Sequence, residues 1–295
     1  MQIERHHTML TQDAFNGLVA QGYNRIPLIA QAFADLETPL SLYLKLARVE
    51  NNGRLSFLLE SVVGGERFGR YSFIGLPAHT LLRATGFGAA ATTEVVTDGV
   101  VVETNHGNPL DFVAAYQARY KVATQPDMPR FCGGLAGYFG YDTVRHMERK
   151  LENTCPPDTL GCPDILLLQT EEVAVIDNLS GRLYLMVYAD PAQPNAYDTA
   201  CARLAELSQR LSVPVSVPPM GGHTAHPVQS ERSQAEFEVA VRRAQALIEA
   251  GDFMQVVIGQ RLSKRFDAPP LSLYRALRSL NPSPYMYYYD LGDHY

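Results

Sequence analysis

Tryptophan is absent from all 295 residues, and cysteine is scarce, with four. None of Cys132, Cys155, Cys162 and Cys201 stands in a Cys-x-x-Cys pair, which argues against a zinc knuckle or a thioredoxin-like centre. Cys155 and Cys162 bracket a proline-rich loop and could meet, but without an export signal free thiols are expected. Long apolar runs are missing too. No stretch approaches the roughly 18 residues of a membrane span, and the opening MQIERHHTMLTQD lacks the apolar segment of a secretory signal. The expected location is cytoplasmic, with no membrane partner. There is no basic run, and the net charge of -6 argues against nucleic acid as a partner. His6-His7 and His223/His226 have no carboxylate or cysteine at ligand spacing, so no metal site is expected in this chain.

What is present reads as α+β. Ile26–Phe33 is an apolar run, and "ETPLSLYLKLAR" follows, with Thr38 at a helix N-cap and Pro39 in the first turn. SFLLES, RYSFIGL and HTLLRATG are short strands. In "TEVVTDGVVVET" the Asp98-Gly99 dipeptide suits a two-residue hairpin turn, which needs positive φ. "EEVAVIDNLSGRLYLMVYA" repeats the logic through a longer turn at Asn178–Gly181. Asn108-Pro109 starts one helix. A second places Ala200, Leu204, Leu207 and Leu211 on one face.

Residues 1–211 therefore read as a sheet-rich, two-layer N-terminal domain, and 212–232, rich in proline, glycine and serine, as a linker. Residues 233–295 read as the start of a second domain. Ser233 and Glu236 form a capping box for a helix that Gly251 closes. "FMQVVIGQRLSKRF" is expected to be a strand, "PPLSLYRALRSLN" a helix and "SPYMYYYDL" another strand. So few elements do not close a core, and truncation is the expectation.

Three stretches, taken in order, resemble the component I subunit of anthranilate synthase, a chorismate-utilising enzyme family. They are "LLES" (Leu58–Ser61) with "GGERFGRYSFIG", then "GGLAGYFGYD" (Gly133–Asp142), then "NPSPYMYYYDL" (Asn281–Leu291) preceded by "GDFMQVVIGQR". The resemblance implies conversion of chorismate to anthranilate in tryptophan biosynthesis. It implies ammonia from a glutamine amidotransferase partner, Mg2+ in the complete enzyme, and feedback inhibition by L-tryptophan. The magnesium and chorismate ligands would lie beyond Tyr295, which makes this chain a catalytically incomplete fragment. Alternatives are aminodeoxychorismate synthase component I and a non-catalytic tryptophan-binding module.

The resemblance carries the family's tryptophan contacts onto Ser61, Pro284, Tyr285 and Met286, with Glu60 completing the "LLES" motif. The chemistry agrees: a free amino acid needs a carboxylate or carbonyl for its ammonium, and an indole needs apolar walls. By the same resemblance Gln255 falls near the active site. Relatives that add water to chorismate have a lysine there, and a glutamine fits relatives whose nucleophile is ammonia. Arg67 and Arg70 read as surface or interdomain salt-bridge partners. The glycines of "GGLAGYFGYD" lack the Lys-Ser/Thr of a phosphate loop and read as sites of close backbone packing.

Overall fold

A computed structural model describes residues 10–49, 54–61, 69–125, 128–152, 154–216 and 225–295. The chain divides into two compact units, residues 1–217 with 278–295, and residues 218–277. The sequence pattern places everything after residue 232 in one second domain. The structure differs, because the last strand joins the first unit's sheet.

In the first unit, helix α1 (Gln12–Ala20) precedes strand β1 (Ile26–Phe33), helix α2 (Pro39–Leu46) and strands β2 (Ser56–Ser61) and β3 (Tyr71–Gly75). Strands β4 (Thr80–Thr85), β5 (Thr92–Thr97) and β6 (Val100–His106) lead to helix α3 (Pro109–Gln117). Strands β7 (Gly134–Phe139), β8 (Ile165–Thr170), β9 (Glu172–Asp177) and β10 (Arg182–Ala189) run on to helix α4 (Ala196–Arg210). The second unit holds strand β11 (Gln229–Ser230), helix α5 (Gln234–Glu249), strand β12 (Leu262–Ser263) and most of helix α6 (Pro270–Leu280); strand β13 (Tyr285–Asp290) returns to the first.

Among the described residues, one sheet has six strands in the order β1-β10-β9-β3-β2-β13, and a second has five in the order β6-β5-β4-β8-β7. Every pair in both is antiparallel. The two sheets share a core of Phe57, Ala136, Leu166, Leu168 and Leu291. On the far side of the five-stranded sheet, Phe112 and Tyr116 of α3 pack on Leu82, Val95, Ile165 and Leu167. Helix α4 lies along β10 and β1 and buries Ala200, Leu204 and Leu207.

The local signals behave as their chemistry requires. Thr38 and Ser41 cap α2 reciprocally, Ser233 and Glu236 do the same for α5, and Asn108 accepts from Leu110 N–H at the start of α3. Asp98 and Gly99 both have positive φ, at 48° and 81°, as the tight hairpin demands. In "GGLAGYFGYD" a Cβ on Gly137 would stand 2.0 Å from the Leu166 carbonyl oxygen. Its glycine admits the neighbouring β8 backbone, and no phosphate role is needed.

One expected element does not form. Residues 253–261 are irregular, and of the expected strand only Leu262–Ser263 take strand form, paired with Gln229–Ser230. Met254, Val256 and Val257 are exposed. An apolar run is not a strand until a neighbouring backbone accepts its ladder of hydrogen bonds. All four cysteines are free. No helix among the described residues is long and apolar enough to cross a membrane.

Candidate functional site

Strand β2 ends where β13 begins. The antiparallel register sets Tyr285 opposite Ser61 and Met286 opposite Glu60. Two motifs more than two hundred positions apart thus become neighbours, inside one compact unit. Directly opposed residues share a face of the sheet, and successive residues alternate between faces. The aromatic neighbours identify the faces. Tyr288 meets Tyr43 of α2 edge-on at 5.9 Å, whereas Tyr289 meets Phe57 at 5.4 Å in the core between the sheets. Glu60 and Met286 therefore lie on the α2 face, and Ser61 and Tyr285 on the opposite one. Pro284, just before β13, is exposed.

At the open end of this ladder lies a cleft of about 740 Å³. Leu59, Tyr71, Phe73, Tyr285 and Tyr287 supply apolar and aromatic walls; Ser61 supplies a hydroxyl; Met128 and Arg130 form part of the rim. Flat, mostly apolar walls with a few polar groups are what a ring-bearing small molecule needs. Arg70, also on the cleft, grips Asp177 through Nε and Nη2, the latter at 2.8 Å. Burial pushes the Asp177 carboxyl up, but hydrogen bonds from Arg70, Ser180 and Leu179 outweigh it and hold the group below its ordinary range. Arg70 is thus a salt-bridge partner within the first unit. Arg67, with His6, His7 and His223, lies outside the described residues.

Glu60 is the most constrained residue of the set, at 2% exposure. It accepts two hydrogen bonds from Arg278, from Nε to Oε2 and from Nη2 to Oε1, each 2.7 Å. This fork-to-fork pairing is the strong geometry for arginine and a carboxylate. Beside it the Ser61 N–H donates to Ser72 Oγ at 3.2 Å, and Asn178 Nδ2 donates to the same hydroxyl. Sequence reasoning missed Arg278. An arginine in the last turn of a helix reads as generic compensation of the helix dipole, and nothing in its spacing points to residue 60.

Gln255 is exposed in the irregular segment of the second unit. The strand setting expected for it is absent, so its proximity to an active site has no support from the local structure. His226 contacts Asp267 through Nε2, a carboxylate partner 41 positions away that spacing did not reveal. Among the described residues no group of three or more His, Cys, Asp or Glu side chains could hold a metal ion.

The chorismate binding enzyme family matches residues 71–295. Anthranilate synthase component 1 of Neisseria meningitidis serogroup B is 50% identical over 288 residues, covering 97% of this chain and 57% of that protein. The protein of the same name from Pseudomonas aeruginosa is 48% identical over 293 residues, again covering 57% of its length. The crystal structure of anthranilate synthase component I from Streptococcus pneumoniae TIGR4 superposes with a TM-score of 0.61 at 24% identity, covering 89% of this chain and 55% of that one. That likeness shows the α+β fold. The chain spans a little over half the length of the relatives it matches.

Proposed function

Because the chain belongs to the family of chorismate-binding enzymes, we propose that it forms the N-terminal portion of an anthranilate synthase component I. The complete cytoplasmic enzyme would convert chorismate and ammonia to anthranilate and pyruvate. A glutamine amidotransferase subunit would supply the ammonia, and Mg2+, held by residues other than those described, would bind the substrate carboxylates. The observation that carries this reading is the extent of the similarity, 97% of the chain at 50% identity, through both motifs that meet at the β2–β13 ladder. A chimera extending residues 1–295 with the remainder of the Neisseria relative should produce anthranilate fluorescence from chorismate, Mg2+ and ammonium. A folded chimera that leaves chorismate untouched would refute the assignment. The 295-residue chain alone should give no such signal, because about two-fifths of the relatives' length is not represented in it. An EDTA-sensitive signal from the chain alone would show that the active site has been misplaced.

The same reading makes the cleft at Ser61, Pro284, Tyr285 and Met286, with Glu60 beside it, the site of feedback inhibition by L-tryptophan. Support comes from the aromatic walls and from the register that joins the two motifs. Binding to the folded unit alone would stabilise it by about 2.7 kcal/mol at a hundredfold excess over Kd. Ser61→Phe fills the polar corner, and Met286→Thr puts a hydroxyl beside the ladder in place of an apolar side chain. Each should raise the half-inhibitory tryptophan concentration of the chimera about tenfold or more, the equivalent of ~1.4 kcal/mol. Inhibition curves that superpose on the parent's for both variants would remove the site from regulation.

A further inference from the structure

The opening glycines of "GGLAGYFGYD" border a second cavity, of about 260 Å³, that shares no lining residue with the cleft at the β2–β13 ladder. It lies wholly within the first unit. Tyr116 in the last turn of α3, Tyr120 just beyond it and Tyr188 of β10 supply aromatic walls, and Val122 and Leu135 supply aliphatic ones. Gly133 admits Tyr188, because a Cβ there would stand 2.7 Å from the tyrosine ring. An apolar cavity of about 150 Å³ holds benzene. This one has room for two fused rings.

The polar end of the cavity is Arg25. Its Nε donates to Glu171 Oε1 at 3.0 Å, and its Nη1 meets Asp190 Oδ2 at 3.0 Å and donates to the Asn24 carbonyl. Gln169 Nε2 donates to the same Glu171 oxygen, and Gln169 Oε1 accepts from the hydroxyls of Tyr116 and Tyr120. Among the described residues no hydrogen bond reaches Arg25 Nη2 or Glu171 Oε2. Arg25 and Glu171 thus touch at one corner only, unlike the forked pair at Glu60. One guanidinium here faces two carboxylates, so a further anion would be repelled. A neutral hydroxyl or carboxamide both accepts and donates, and it completes the open corner without adding charge.

We propose that this cavity binds a neutral aromatic molecule of one or two rings bearing a hydroxyl or carboxamide. The ring lies among the three tyrosines, and the head group bridges Arg25 Nη2 and Glu171 Oε2. The site is separate from the tryptophan cleft and does not depend on that reading.

The test uses the folded 295-residue chain and three fluorescent probes with the same two rings: 2-naphthol, naphthalene and the anion 2-naphthoate. 2-Naphthol should bind about tenfold more tightly than either of the others. Its binding should slow iodoacetamide alkylation of Cys132, which lines the cavity, severalfold, and leave the exposed Cys155 and Cys162 unchanged. Arg25→Lys keeps a charge facing Glu171 and Asp190 but has no second N–H fork. It should weaken 2-naphthol about tenfold and leave naphthalene unaffected. Val122→Phe fills the cavity and should weaken both at least tenfold.

2-Naphthol that does not bind, or that binds without shielding Cys132, would overturn the site. Equal affinity for 2-naphthol and naphthalene, a preference for 2-naphthoate, or an Arg25→Lys variant that binds 2-naphthol as the parent does would overturn the assigned ligand class. If either variant fails to fold, the three-probe comparison and the Cys132 measurement on the parent still decide.

Discussion

Gly137→Val is expected to leave almost no folded protein. The added Cβ would fall 2.0 Å from Leu166 O and 2.9 Å from the Leu166 carbonyl carbon and the Leu167 Cα. These are backbone atoms of β8, the strand paired with β7 through Gly137↔Leu167. A side chain in the way could rotate, but a paired strand has nowhere to go without breaking its ladder. Overpacking a flexible core costs about 1–3 kcal/mol. This clash is against fixed backbone, so the loss should reach or exceed the top of that range, a large share of a typical stability of roughly 5–15 kcal/mol. Soluble yield and a urea unfolding midpoint measure it. A variant with the parent's midpoint would mean that β7 and β8 do not approach as described.

The second expected result concerns the core between the sheets. Phe57 is 1% exposed, stacks near Phe131 and Tyr289, and lies across Gly75, whose Cβ would stand 2.1 Å from the Phe57 ring. Phe57→Ala should cost about 3–5 kcal/mol through the cavity it opens. Gly75→Ala should also destabilise the parent, because the ring has to move. In the Phe57→Ala background the same alanine meets empty space. The two changes should therefore be strongly non-additive, with a coupling of about 1–3 kcal/mol in the compensating direction. A double-mutant cycle in urea decides it, and additive losses would refute the packing described.

How much of this was legible beforehand differs by kind of information. Caps and tight turns were, because each is decided by two or three adjacent residues: Thr38, Asn108, Asp98-Gly99 and the Ser233–Glu236 box all sit where their chemistry placed them. Strands with partners nearby in the chain were too. The stretch around Gln255 was not, since strand formation depends on a neighbour that a local pattern does not contain. For the candidate site, the motifs identified which segments mattered, and the register then showed Glu60 and Met286 on one face and Ser61 and Tyr285 on the other. That alternation was readable within each motif. Which residues of the second motif stood opposite which of the first was not, because register between distant strands is settled by the whole sheet. The Glu60–Arg278 pair, 218 positions apart, lay beyond any spacing rule for the same reason.

The β2–β13 pairing has a consequence for biosynthesis. Strand β2 pairs on one side with β3, which follows it closely, but its other side waits for residues 285–290. At ribosomal rates of about 5–20 residues per second, that flank stays open for roughly ten to forty seconds after β2 is made. During that interval SFLLES, apolar and with one row of backbone hydrogen-bonding groups unsatisfied, is the kind of edge to which a second nascent chain can add. Crowded polysomes, in which neighbouring copies expose the same edge together, are the setting that favours such pairing.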